Sequence, residues 1–135
     1  MKRTVLRIAI FGFLFIGLGV LGVSSETQAQ SLTKADVFEI PTGNFFAPTE
    51  AKIRLDGEIT TLKYTMANLV EGTPEYRAVW LRYTFFNGVL NFIVNGKTVP
   101  EAIVESLKEM DRDEYALPKG TLQSYRTAAI NLLKL

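Results

Sequence analysis

Residues 76–94 are mostly apolar and aromatic, and signals that end or begin a helix lie on both sides of them. Before the segment, Gly72 is typical of a helix C-terminus. Thr73-Pro74-Glu75 then supplies an N-cap residue, a proline at the first helical position and an acid in the first turn. After the segment, Asn95-Gly96 is a plausible helix stop, and Thr98-Val99-Pro100-Glu101 matches a capping box. These boundaries predict that the segment is one helix, covered by neighbours on most sides because few of its positions are polar.

The same residues also carry a strand signal. Asn87-Gly88 is a strong hairpin dipeptide, and its surroundings are rich in the β-branched and aromatic residues that favour strands. A hairpin would place Thr84 opposite Asn91. The boundary signals favour the helix, in which Gly88 costs about 1 kcal/mol relative to alanine. Burial of each large apolar side chain contributes ~1.5–3 kcal/mol, so the aromatic content outweighs that cost.

The apolar spacing elsewhere predicts further helices. One face of the first predicted helix carries Leu55, Ile59, Leu62, Met66 and Leu69, at intervals of four and three. Intervals of this kind place side chains on one side of a helix. We predict helices near 58–70, 74–95, 99–110 and 121–134.

The region before these helices reads as an extended arm. Residues 30–50 include a short predicted strand at Val37, Phe38 and Ile40, followed by a turn at Thr42-Gly43-Asn44. Lys52–Leu55 alternates as a strand does, and Asp56-Gly57 is a turn signal. We predict a mainly α fold, a small four-helix domain with an extended N-terminal arm. The alternative is an α+β fold with two β-hairpins, at Asp56-Gly57 and Asn87-Gly88, followed by two C-terminal helices.

The first thirty residues have the pattern of an export signal. Three basic residues lie among the first seven, and Ile8–Val23 then runs for 16 residues without a charge. That run is shorter than the ~20 residues a helix needs to cross a bilayer. Thr27-Gln28-Ala29 offers a small-x-small cleavage site. We predict a signal peptide over 1–29 and a single exported globular domain over 30–135, located in the bacterial periplasm or secreted. The alternative is a protein anchored to the membrane by an uncleaved N-terminal segment.

Charge and composition weaken several functional classes. The chain has no cysteine and no histidine, so a Cys/His zinc site, a thiol nucleophile and an imidazole base are excluded. Cleavage after residue 29 removes three bases and one acid and leaves a net charge of −1. Without a basic excess or a basic cluster, nucleic acid is not an expected partner. We predict no metal, no cofactor and no catalytic residues.

One row of side chains is a candidate binding site. Tyr76, Trp80 and Tyr83 follow helical spacing, and Asn87 continues the same side. This aromatic row (Tyr76, Trp80, Tyr83 and Asn87) is interpreted as the lining of a pocket for an apolar ligand, with Asn87 setting its orientation. We favour the other interpretation, in which these residues form a stripe that faces the protein core.

Arg82 is a further candidate. In a helix it projects near Phe86, where a charge must be paired or reach water. It is interpreted either as a contact for an anionic ligand or as the partner of a carboxylate, with Glu105 and Glu109 as candidates.

These features predict a small non-catalytic interaction module of the bacterial envelope that acts through protein–protein contact, of the inhibitor, immunity or assembly type. A protein partner is expected, and no stable membrane anchor remains after cleavage. The alternatives are a carrier of a small apolar ligand in an aromatic-lined pocket and a small carboxylate-based hydrolase. The apolar middle helix is also compatible with a homo-oligomer, because three short neighbouring helices do not cover all of its sides.

Overall fold

A computed structural model describes residues 32–135, most of which lie in five α-helices. Their bounds are α1 Lys34–Val37, α2 Pro48–Ala67, α3 Pro74–Val94, α4 Val99–Met110 and α5 Thr121–Leu133, with a 3-10 turn at Asp113–Tyr115. Over the described range the prediction of a mainly helical fold is confirmed. The predicted signal peptide and its cleavage site lie outside the described residues.

The aromatic segment is a single helix. α3 runs through Asn87-Gly88 without a break, so the hairpin alternative is wrong. The helix begins where its capping signals lie: the hydroxyl of Thr73 accepts a hydrogen bond from the Tyr76 amide at 3.2 Å, and Pro74 occupies the first turn. The helical boundary signals and the burial of one face therefore outweigh the local preference of the dipeptide for a turn.

α2 begins ten residues earlier than predicted, at Pro48. The predicted strand at Lys52–Leu55 and the predicted turn at Asp56-Gly57 are both wrong, because α2 contains all of these residues. Ala51 and Leu55 are fully buried on the face that continues through the later part of the helix, so packing selects the helix. A Cβ on Gly57 would meet nothing within 4 Å. That glycine therefore costs only its helix propensity, about 1 kcal/mol.

The arm between α1 and α2 pairs with the end of α5. Val37, predicted to lie in a strand, belongs to the single turn of α1. Farther along the arm, the Phe46 amide donates to the Leu133 carbonyl at 2.9 Å, and the Leu135 amide donates to the Asn44 carbonyl at 2.7 Å. These two bonds flank an isolated antiparallel bridge between Phe45 and Lys134. Residues 32–135 contain no β-pairing other than this bridge.

α3 lies at the centre of the packing, against α2 on one side and α4 on the other. α4 has the predicted bounds, and its predicted capping box is present at Thr98 and Glu101. The largest fully buried side chains come from four helices: Leu55, Phe85, Phe86, Val89, Ile103, Leu107, Met110 and Leu133. Among the helices of the described range, none combines the length and apolar character of a membrane span.

Candidate functional site

The aromatic row lies on the side of α3 opposite the core. All four of its side chains are half-buried, whereas Leu81, Phe85 and Val89 of the same helix are buried. On a helix at 100° per residue the row falls roughly opposite this buried arc. The row therefore differs from a core-facing stripe, since each member retains contact with solvent.

The first two members of the row share a recess. Tyr76 and Trp80 line an open recess of about 590 Å³ beside the start of α3, together with Arg77 and the turn at residues 71–74. Tyr83 and Asn87 are not among its lining residues. The structure thus brings together two of the four predicted row residues.

Two residues that line the recess, Arg77 and Trp80, also contact the 3-10 turn. The Trp80 and Tyr115 ring centroids lie 6.2 Å apart, with the ring planes tilted by 50°. The guanidinium of Arg77 donates to the Tyr115 carbonyl at 2.8 Å. These two contacts hold the turn against the first part of α3.

Arg82 points to a different side of α3. Its Nε lies 3.7 Å from a carboxylate oxygen of Glu58 on α2, and its guanidinium lies 5.2 Å from the Phe86 ring centroid. The expected position near Phe86 is therefore observed, but the predicted partners Glu105 and Glu109 are not used. The pairing with Glu58 depends on how α2 packs along α3, which the spacing of residues within either helix does not specify.

A larger concave surface lies between the arm and the start of α4. This arm groove, lined by residues from 38–48 and from 97–105, has a volume of about 820 Å³. Apolar side chains from both segments line it, among them Phe45, Phe46 and Val104. A groove of this volume falls in the range of binding clefts on proteins.

Several contacts hold the arm in place. Phe46 is packed under the guanidinium of Arg54, whose central carbon lies 4.0 Å from the ring centroid. Arg126 donates to the Glu39 carbonyl at 2.8 Å, and the bridge at Phe45 and Lys134 ties the middle of the arm to the end of α5. Because the arm is fixed on both sides, a ligand of the groove avoids much of the entropy cost of ordering it.

The arm groove carries more negative than positive charge. Its ionisable lining residues are Glu39, Lys97, Glu101 and Glu105. The Thr98 amide donates to the Glu101 carboxylate at 3.0 Å. This bond, the Thr98 hydroxyl and the nearby charge of Lys97 lower the pKa of Glu101. Three acids against one base leave these lining residues with a net charge of −2. In the part of the chain that the structure describes, no three acidic groups are close enough together to hold a metal ion.

Glu105 is a carboxylate of the groove that lies between two other acids on α4. It is half-buried and follows Glu101 by one helical turn and precedes Glu109 by another, a spacing at which like charges repel. Glu101 is engaged in the capping box, and Glu109 lies 3.1 Å from Arg112. Within residues 32–135 Glu105 has no ion-pair partner.

The arm also presents an unused backbone edge. The Phe46 amide and the Asn44 carbonyl are directed to the end of α5. Successive backbone groups of an extended chain point to alternate sides, so the amide and carbonyl of Phe45 point away from that partner. Neither group has a hydrogen-bond partner among the described residues.

Sequence reasoning missed the arm groove. Phe45-Phe46 was visible as an apolar pair between two turn signals. An adjacent pair of aromatic residues in a segment without a helix or strand pattern is the signal that could have indicated it. The opposing wall at residues 97–105 comes from a helix about 50 positions away, and nothing local in either segment specifies that they meet.

No protein-family model, no curated protein and no solved structure matches this chain.

Proposed function

We propose that this protein is an exported, non-catalytic interaction module that acts through protein–protein contact, and that the arm groove is its contact surface. Export rests on the N-terminal pattern of three basic residues followed by an uncharged apolar run. The envelope of a bacterium is the proposed location.

The observation that carries this proposal is the arm groove itself. It combines an apolar lining with charged side chains from two segments that are distant in the sequence. Protein interfaces typically have this composition, with apolar contact at the centre and polar groups around it. The fixed arm supports the same conclusion, because a preformed surface binds without the cost of ordering a loop.

Site-specific photo-crosslinking in cells tests the proposal. A photoreactive amino acid replaces Val104 in the groove of the full chain, expressed at its native level. A matched variant carries the same amino acid at Ile53, which is 61% exposed on α2 and does not line the groove. We expect illumination to produce one or a few protein adducts of defined mass from position 104, and none of the same mass from position 53.

Adducts of equal yield at both positions, or no adduct at position 104, would contradict the proposed function. Circular dichroism of each purified variant provides the folding control. A variant that loses the helical spectrum is replaced by one with the photoreactive group at Pro100, which lines the same groove.

A second candidate function is supported by the recess beside α3. Tyr76 and Trp80 line it together, and aromatic side chains suit a small apolar ligand. Trp80 is the single tryptophan of the chain, so its fluorescence reports on occupancy. Saturable quenching of Trp80 by lipid-like ligands that is lost in Tyr76→Ala would support a carrier function. Absence of quenching by all of these ligands would contradict it.

A further inference from the structure

We infer that the arm groove takes an extended segment of a partner protein that alternates basic and apolar side chains, with a lysine or arginine opposite Glu105 and backbone pairing to Phe45. This inference rests on the proposed function and names the chemistry of the partner.

The basic side chains of the partner segment are inferred from charge complementarity with the groove. The lining carries three carboxylates, those of Glu39, Glu101 and Glu105, against the single ammonium of Lys97. Arg126 approaches Glu39 only at its backbone carbonyl and does not line the groove. A cation bound at Glu105 would also relieve the repulsion from its neighbours one turn away on α4. An acidic segment would add to that repulsion, so binding of acidic partners is disfavoured.

The extended conformation of the partner segment is inferred from the backbone of the arm. The amide and carbonyl of Phe45 point away from the α5 end and are unpaired among the described residues. An extended chain that adds to this edge exchanges a reciprocal pair of hydrogen bonds with one residue. A helical segment has its own backbone groups satisfied internally and could not make this pair.

The alternation of apolar and basic residues in the partner segment is inferred from the apolar lining of the groove. Side chains of an extended segment alternate between its two faces. A segment bound along the arm therefore places every second residue toward Phe46, Val104 and their apolar neighbours. A lysine or arginine at a position between them has a long flexible stem that lets its charge reach Glu105 on the same wall. Alternation of apolar and basic residues satisfies both requirements at once.

Fluorescence anisotropy with defined peptides tests the inference. The protein is purified from cells that express the full chain, and the probe is a labelled ten-residue peptide of alternating lysine and valine. We expect it to bind, and the corresponding glutamate–valine peptide to bind on the order of tenfold more weakly. Glu105→Lys should abolish this preference, because it leaves two acids and two bases in the lining, whereas Glu105→Gln should reduce it. Asp56→Lys makes the same charge change on α2 outside the groove and should leave the preference in place.

Backbone methylation tests the pairing with Phe45. Two further lysine–valine peptides are methylated at every second amide nitrogen, in the two alternate registers. Only one edge of an added strand faces the arm, so one register should lose binding on the order of tenfold and the other should retain it. Equal loss in both registers would overturn the backbone pairing.

The outcomes separate this inference from the proposed function. Equal binding of the two charge types, preference of the wild type for the acidic peptide, or no peptide binding would each overturn the partner chemistry. Protein adducts from position 104 would leave protein–protein contact supported in all three cases. Absence of those adducts would contradict the function whatever the peptides do. Circular dichroism of the Glu105 variants distinguishes a lost groove charge from a lost fold.

Discussion

Gly88 on α3 lies directly against Ser106 on α4. A Cβ on Gly88 would lie 2.5 Å from the Ser106 hydroxyl oxygen, which donates a hydrogen bond to the Phe85 carbonyl at 2.7 Å. Ser106 is 1% exposed and is the one buried serine among residues 32–135. The glycine that weakens the helix locally therefore makes room for a buried contact between two helices.

Gly88→Ala should lower the free energy of unfolding by up to about 2 kcal/mol. Alanine gains up to about 1 kcal/mol of helix propensity, but its methyl group displaces a buried hydroxyl whose lost bond costs about 1–3 kcal/mol. In a Ser106→Ala background the obstructing oxygen is gone, so the same change should stabilise the protein by up to about 1 kcal/mol. Urea denaturation of the four proteins in this cycle measures the coupling. The same sign in both backgrounds would contradict the contact.

Tyr125 should ionise only at strongly alkaline pH. Its ring stacks on Phe85 at 5.1 Å between centroids, and burial raises its pKa to about 12, while the charge of Arg82 acts in the opposite direction. The raised pKa means that its contribution to stability is present below the ordinary pKa of 10.0 and is lost as the pH rises through about 12. The difference between the phenolate absorbance titrations of the wild type and Tyr125→Phe isolates this group. A difference curve centred near 10 would show that the ring is not buried.

The capping box of α4 should be sensitive to acid. The Thr98 amide bond lowers the pKa of Glu101, so its contribution is present above the ordinary pKa and is lost as the pH falls through the lowered value. Wild type and Glu101→Gln should therefore differ in denaturation midpoint at neutral pH and converge in acid. Thr73→Ala removes the cap of α3, which has no carboxylate partner. It should cost about 1 kcal/mol, and this cost should not follow the titration of Glu101. A constant difference between wild type and Glu101→Gln at all pH values would argue against the box.

Trp80 should report on the 3-10 turn. Tyr115→Ala removes the ring 6.2 Å from Trp80, and we expect a red-shifted emission and greater quenching by acrylamide. The change in the free energy of unfolding should stay below about 1.5 kcal/mol, because both rings retain contact with solvent. Tyr64→Ala serves as the control, since Tyr64 is 73% exposed on α2. Unchanged emission in Tyr115→Ala would mean that the turn does not cover Trp80.

The candidate sites were accessible to sequence reasoning to different degrees. Helical spacing placed Tyr76 and Trp80 on one side of α3, and they line one recess. The same reasoning assigned Arg82 the wrong partner, because the pairing with Glu58 depends on how α2 crosses α3. The arm groove was not predicted from the sequence, because its two walls are separated by about 50 residues.

Local chemistry in the sequence determined the ends of α3 and the whole extent of α4. Caps and helix stops act within one turn, so Thr73-Pro74 and the Thr98–Glu101 box can be read without knowing what packs nearby. The absence of cysteine and histidine likewise excluded whole classes of chemistry.

Only the tertiary structure decided where α2 begins and where a partner could bind. Four alternating residues at 52–55 suit a strand or a helix equally well, and burial of Ala51 and Leu55 against other helices makes the choice. The arm has no regular structure of its own, and its position depends on contacts with Arg54, Arg126 and the end of α5. Such contacts join residues far apart in the chain, and their free energies arise only when the folded helices bring them together.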